Sequence, residues 1–375
     1  MKFAIDDKIP YIRGVLEPFA DVEYIPGSEI SRINLLNVDG LIIRTRTRCD
    51  RHLLEGTPVK FIATATIGFD HIDTEYCQKA GIQWTNAPGC NAESVNQYIA
   101  SALSHWSVIR NIPLANQTIG IIGVGNVGSK VARTAKILGL KVLLNDPPRA
   151  RKEGPKGFVK LEQILEKADI ISLHVPLYQG GIDKTYHLAD NEFINKWKNP
   201  SLFINTCRGE VMDTSAVKKK LVDGKIKDCI IDCWENEPEI DAGLLDKCLI
   251  GTPHIAGYSR DGKANGTAQC VQAISRQFNL GPESWYPGEI EQPHFPNILL
   301  YGDSMDQERV IYSAIQSTYA IQHDDEALRS TPDSFEKLRG DYPVRREFKA
   351  FTIKGMNISH FAEEKLRQLG FKVKN

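Results

Sequence analysis

Three residues lying far apart in the chain carry side chains suited to one reaction. They are Arg208 in Thr206-Cys207-Arg208-Gly209, Glu237 five residues after Asp232, and His254 in Thr252-Pro253-His254. A guanidinium can hold a carboxylate through two parallel hydrogen bonds and so fix the neighbouring carbon. An imidazole can take the proton of an alcohol near neutral pH. A carboxylate on its second ring nitrogen fixes the tautomer that does so. Together the three suit oxidation of a 2-hydroxy acid, a hydride leaving C2 while His254 removes the hydroxyl proton. Taken singly they could be a surface ion pair, a solvated loop acid and a helix-start histidine. Each, however, closes an apolar run, at 201–206, 227–232 and 248–254. If those runs are strands of one parallel sheet, their ends converge on a single cleft.

The hydride acceptor is announced upstream. Thr118–Ile122 reads as a buried strand, and Gly123-Val-Gly125-Asn126-Val127-Gly128 follows at once. A helical pattern runs through Val131, Ala135 and Leu138, then Lys141–Asn145 forms a second strand ending on Asp146. Strand, glycine turn, helix, strand and acid make a dinucleotide-binding βαβ unit. Gly123 allows the tight turn, Gly125 lets backbone amides approach a pyrophosphate, and Gly128 lets the helix pack close on the strand. The helix N-terminus offers free N–H groups to the phosphates. Asp146 would accept hydrogen bonds from the ribose hydroxyls and repel a 2′-phosphate, which favours NAD over NADP. Arg149 is the one nearby feature that speaks for NADP.

The remaining elements must position these groups. Residues before about 91 alternate strands (Lys2–Ile5, Leu41–Ile43, Phe61–Ala63) with polar or helical stretches, as a small α/β layer would. Arg44-Thr45-Arg46-Thr47 and Ala63-Thr64-Ala65-Thr66 stand at strand ends, where ligands of parallel sheets sit. Asp70 to Asp73 reads as a capping turn, with no chemistry assigned to His71. Helices are predicted over Glu93–Arg110, Thr214–Val222 and Gly262–Phe278, and the last should return to the first lobe. Beyond a proline- and glycine-rich linker, the tail shows helices over Val310–Ile321 and Phe361–Leu369, a strand over Phe348–Ile353, and no catalytic constellation. The 375 residues are 42% hydrophobic and 25% charged with net charge −1, which offers no general attraction to nucleic acid or an acidic membrane. Eight scattered cysteines show no metal spacing, and no leader or membrane-crossing run is visible. A cytoplasmic protein is expected.

The motifs Gly123-x-Gly125-x-x-Gly128, Thr206-Cys-Arg208-Gly, Asp232-x-x-x-x-Glu237-Pro and Thr252-Pro-His254-Ile-Ala-Gly resemble those of the D-2-hydroxyacid dehydrogenase family. The resemblance implies a doubly wound parallel (Rossmann) sheet inserted into a split flavodoxin-like substrate domain, with a small α/β C-terminal dimerisation domain. The expected boundaries are 1–95 with 256–285 for the substrate domain, 96–255 for the NAD domain and 286–375 for the tail. Catalytic roles fall on Arg208, Glu237 and His254. NAD contacts fall on Gly123, Gly125, Asn126, Val127, Gly128, Asp146, Val175, Thr206, Cys207, Asp232 and Gly257. Asp232 is expected on the nicotinamide amide. Ala87-Pro-Gly-Cys-Asn91 and Tyr342-Pro-Val-Arg-Arg346-Glu-Phe348 further resemble a branch that oxidises 4-phospho-D-erythronate on the way to pyridoxal 5′-phosphate. That branch implies substrate contacts at Thr45, Thr66 and Tyr258 and a homodimer. Arg44 and Arg46 are then candidates for the phosphate. Alternatives are a family member acting on 3-phosphoglycerate and a corepressor-like protein that binds NAD as a signal.

Overall fold

The computed structural model describes residues 1–303 and 306–374. They form two compact units, 1–91 with 259–291 and 92–258 with 292–375.

The first unit is built on β1 (Lys2–Asp6), β2 (Asp21–Ile25), β3 (Gly40–Ile43), β4 (Phe61–Thr64) and β5 (Gln83–Thr85). All pair in parallel in the order β2-β1-β3-β4-β5, the flavodoxin-like arrangement. β3 and β4 are buried throughout, which explains their unbroken apolar runs. Leu41, Ile43 and Ile62 fill one face with Leu53 and Leu54. Phe3, Ile5 and Ile42 fill the other against Val271 and Ile274 of the helix Arg260–Phe278. That helix therefore returns to this unit as expected. Asp73 accepts from Tyr76 N at 2.9 Å and caps the helix Thr74–Ala80.

The second unit holds β6 (Thr118–Ile122), β7 (Lys141–Asn145), β8 (Ile170–Leu173), β9 (Leu202–Asn205), β10 (Asp228–Ile231) and β11 (Ile250–Gly251). They too are parallel, in the order β11-β10-β9-β8-β6-β7. The order reverses between β6 and β8, so a ligand crevice opens beyond the carboxyl ends of those two strands. β11 keeps only two residues of the longer run read from sequence, because the chain turns into the loop that carries His254.

The tail adds β12 (Asn297–Tyr301), β13 (Thr352–Met356) and β14 (Lys372–Lys374), a parallel sheet in that order. Two tail expectations shift. The helix predicted over Val310–Ile321 is the helix Gln307–Thr318, broken at Tyr319, after which Ile321–Ser330 forms another. Tyr319 leaves helical geometry because its ring meets Tyr98 and its hydroxyl donates to Asp324 at 2.7 Å. The strand predicted from Phe348 starts at Thr352, since Phe348–Ala350 is a short 3₁₀ turn whose Phe348 ring packs on Phe371. The tail is thus a small α/β domain with its own sheet, as expected, and it packs closely on the nucleotide-binding half. Ile298, Val310, Leu366 and Phe371 share one apolar core with Trp106, Val131 and Ile170. By packing, residues 292–375 group with the nucleotide-binding half, in units bordered at 91/92 and 258/259.

Candidate active site

The glycine turn after β6 has the backbone that a dinucleotide needs. Gly123 turns at φ +86°, and a Cβ on Gly128 would lie 2.0 Å from the Gly123 carbonyl oxygen, so only glycine permits that closeness. Gly125 caps the helix Asn126–Ile137 without any side chain, which leaves the first-turn N–H groups of Asn126 and Val127 open to an anion. Asp146, at the end of β7, accepts from Val124 N at 2.8 Å and Arg149 N at 3.0 Å. A carboxylate fixed this way keeps lone pairs for ribose hydroxyls. Arg149, the feature favouring NADP, pairs with Glu153 at 2.7 Å and donates to the Val124 carbonyl. Its charge is already countered. Beyond β9 the Thr206 hydroxyl oxygen is buried with no hydrogen-bond partner, an unmet polar atom that a cofactor would satisfy. These residues fit NAD. Val175 follows β8 at the same reversal, and Gly257 lies in the loop after His254.

The loops after β9 and β10 are tied to each other. Asn205 Nδ2, at the end of β9, donates to the Arg208 carbonyl at 2.9 Å and to the Cys233 carbonyl at 3.2 Å. A Cβ on Gly209 would fall 1.9 Å from the Trp234 carbonyl oxygen. Glycine there lets the Arg208 turn lie directly on the turn carrying Glu237. Burial pushes the Cys207 thiol up to about 11, so it stays protonated and donates to Asn205.

His254 Nδ1 lies 2.7 Å from Glu237 Oε2, and the other Glu237 oxygen accepts from Trp234 N at 2.8 Å. Burial works to raise the Glu237 carboxyl. The His254 bond and charge, the Trp234 N–H and the charge of Arg339 outweigh it, and the group stays below its usual value. Facing a carboxylate, Nδ1 carries the proton and donates it, which leaves Nε2 with a free lone pair. His254 has a left-handed backbone (φ +54°), which disfavours an L residue by about 1 kcal/mol. Its neighbours hold it there. His254 N donates to the Asp232 carbonyl at 2.9 Å, and Asp232 Oδ1 and Oδ2 accept from Ile255 N (2.8 Å) and Ala256 N (3.0 Å). Oδ1 also takes the Thr252 hydroxyl at 2.7 Å. Asp232 is 1% exposed, and burial raises its carboxyl against the opposing His254 charge and these hydrogen bonds. Both oxygens of the residue expected on the nicotinamide amide thus already organise the His254 loop.

Sequence reasoning placed Arg208, Glu237 and His254 after β9, β10 and β11, and the structure has them there. It missed Arg339, whose guanidinium lies 5.8 Å from the half-buried Tyr258 ring, and Tyr342, which meets that ring edge-on. It also missed Arg345, described below. Only the quoted run Tyr342 to Phe348 pointed toward that region.

The turns after β3 and β4 of the first unit are held differently. Arg44 makes a two-pronged pair with the buried Asp6, both contacts 3.0 Å. Thr47 Oγ1 donates to the Gly27 carbonyl at 2.8 Å, and between these anchors Thr45 and Arg46 are exposed. Thr66 Oγ1 donates to the Gly68 carbonyl at 2.8 Å and meets Thr64 Oγ1 at 2.8 Å, which in turn lies 3.1 Å from His71 Nε2. Lys263 lies within the fields of Arg44 and Arg260; burial first, then those charges, lower its pKa. Sequence reading named Arg44 but missed Arg260 and Lys263, because they come from the opposite end of the unit.

Residues 92–256 match the D-isomer specific 2-hydroxyacid dehydrogenase, NAD binding domain, and residues 290–370 match a domain of unknown function (DUF3410). The chain belongs to the D-isomer specific 2-hydroxyacid dehydrogenases. An erythronate-4-phosphate dehydrogenase of Bacteroides thetaiotaomicron is 53% identical over 95% of this chain and all of that one. One of Porphyromonas gingivalis is 42% identical over 95% of this chain and 96% of its own. The D-lactate dehydrogenase of Aquifex aeolicus, solved with NAD and lactic acid, superposes with a TM-score of 0.62 at 26% identity. That match covers 74% of this chain and 96% of the other.

Proposed function

We propose that this chain oxidises 4-phospho-D-erythronate at C2 with NAD, within pyridoxal 5′-phosphate synthesis. The observation that carries the reading is the His254–Glu237 pair, whose turn lies on the turn of Arg208, in a chain with relatives at 42 and 53% identity that bear the name of that activity. Bound NAD supplies the two-electron acceptor for the C2 hydride. Arg208 holds the substrate carboxylate. His254 Nε2 takes the hydroxyl proton, and Glu237, deprotonated and hydrogen-bonded at Nδ1, stabilises the cation that forms. Asp146, Val175, the Thr206–Cys207 backbone and the loop through Gly257 hold the dinucleotide. Asp232 is assigned to the nicotinamide amide, and its hydrogen bonds to Ile255 N and Ala256 N also organise the His254 loop.

For the far end of the substrate we assign the phosphate to the first unit's cations. Arg46 is exposed and is the leading candidate; Lys263 stands nearby, while the charges of Arg44 and Arg260 are partly countered by Asp6 and Glu291. Thr45, Thr66 and Tyr258 are assigned to substrate hydroxyls and carboxylate.

We also read the chain as a cytoplasmic homodimer joined through its tail. β12 buries Ile298 and Leu300 and leaves Leu299 and Tyr301 exposed, with Met356 beside Tyr301 on β13. The same face carries Lys354, Lys372 and Lys374, so its apolar part is the strip of Leu299, Tyr301 and Met356, which a second copy would cover. Among the described residues no helix is long and apolar enough to cross a membrane.

The test is NADH formation from 4-phospho-D-erythronate, run beside 3-phosphoglycerate with a hydrazine present to trap the 2-oxo acid. Faster turnover of 3-phosphoglycerate would reassign the substrate. Absence of NADH with either would leave only a nucleotide-binding protein.

A further inference from the structure

The tail reaches the catalytic loop through one side chain. Arg345 is 5% exposed, its guanidinium lying 4.0 Å from the centre of the Tyr319 ring. Nη1 donates to the Ile255 carbonyl at 3.2 Å and Nη2 to the Ala256 carbonyl at 3.1 Å. Nη2 also donates to the Ser94 carbonyl, and Nε donates to the Gln97 side-chain oxygen at 3.0 Å. Asp324, held by the Tyr319 and Tyr342 hydroxyls at 2.7 and 2.8 Å, supplies a nearby negative charge. The N–H groups of the same two residues, 255 and 256, already sit on the Asp232 carboxylate. A buried anion thus grips those peptides from one side and a buried cation from the other. They follow directly on His254, whose left-handed backbone persists only while its surroundings enforce it.

We propose that Arg345 is a positioning residue for His254. With Asp232 it clamps the 255–256 peptides, so that Nδ1 stays on Glu237 and Nε2 stays aimed at the substrate hydroxyl. This gives the tail a task in catalysis that is separate from joining subunits, and it rests on the reading of His254 as the base. A planar fork of five donors can meet four acceptors at once; an ammonium on one flexible stem cannot. Arg329 provides an internal contrast. It too ties the tail to the nucleotide half, bonding Asp325 and the Leu245 and Cys248 carbonyls at 2.8 to 2.9 Å, but it touches the chain before β11 rather than the His254 loop.

The experiment compares R345K, R345Q and R329Q in the full-length chain with NAD. For R345K we expect kcat to fall at least about tenfold, with KM for both substrates within about twofold. The pH dependence of kcat should shift as well, because Glu237 no longer holds the imidazole in place. R329Q should lose thermal stability yet keep the native kcat and pH profile. The hydrogen-bonded Nδ1 proton of His254, read by NMR without substrate and identified by its loss in H254Q, should move or broaden in R345K and stay put in R329Q. If R345Q does not fold, R345K decides. Native kcat, pH profile and proton resonance in R345K would overturn the clamp, and so would an R329Q that reproduces the whole R345K pattern. The resonance also separates the two readings: in a chain that turned over no hydroxy acid it would still report whether Arg345 orients His254.

Discussion

The loops assigned to ligands fall into two groups that are held in opposite ways. After β9, β10 and β11 the chain is dry and fixed several times over. Asn205 spans two loops, Asp232 takes two backbone N–H groups, and Glu237 meets both Trp234 and His254. After β3 in the first unit, two anchors at Asp6 and Gly27 leave Thr45 and Arg46 at the surface. The difference follows from the tasks. Proton and hydride transfer fail when a reacting group strays by an ångström, whereas a phosphate needs only positive charge within reach. On the proposed assignment, precision is built where bonds would change, and tolerance where an anion would be held.

The sharpest way to break that contrast is at His254. H254N should lower kcat by about 10²- to 10⁴-fold while NAD binding, followed by fluorescence titration, stays near native; a fall below tenfold would remove the base from the mechanism. R208K comes next. A point charge in place of the fork should lower kcat/KM by about 100-fold, read by steady-state kinetics. Equal activity would show that Arg208 does not grip the carboxylate. R46A should act more gently, raising KM for the phosphorylated substrate about tenfold with kcat little changed. A fall in kcat alone would place Arg46 with the precise group. L299E with Y301E should turn a dimer into a monomer in light scattering; an unaltered mass would move the subunit contact elsewhere.

The smallest effect concerns pH. Glu237 has a native pKa below its ordinary value, so the unfolded chain binds that proton more readily. Its contribution to stability is therefore complete above the ordinary carboxylate range and is lost as pH falls through the depressed native value. Denaturant midpoints along an acid series should fall less steeply for E237Q than for the native chain. Parallel losses in the two would exclude Glu237 as a source of acid sensitivity.

How much of this was written in the sequence depended on the distance over which each signal acts. The β6–turn–helix–β7 unit was legible because its glycines, apolar period and terminal acid lie within one stretch. Arg208, Glu237 and His254 were legible because parallel topology sends the ends of β9, β10 and β11 to one edge. Asp232 was legible as an acid at a strand end beside a cofactor cleft, but no local pattern shows that Ile255 and Ala256 will also donate to its two oxygens. Arg345 was invisible because its partners, Ser94, Gln97, Ile255 and Ala256, come from two other parts of the chain. The break at Tyr319 was hidden likewise, since its apolar period runs on while a ring contact and a distant carboxylate end the helix.

The core shared by Val131 of the nucleotide-binding half and Phe371 near the chain's end bears on how the molecule comes into being. A ribosome delivers β6 and its glycine turn some 250 residues before Phe371 emerges. Until then an oily flank of the emerging nucleotide half has nothing to lie against, and it stays exposed to chaperones and to neighbouring chains. Competence to bind NAD tightly should arrive only once Phe371 has emerged and packed into that core, which makes this late contact a checkpoint on the whole.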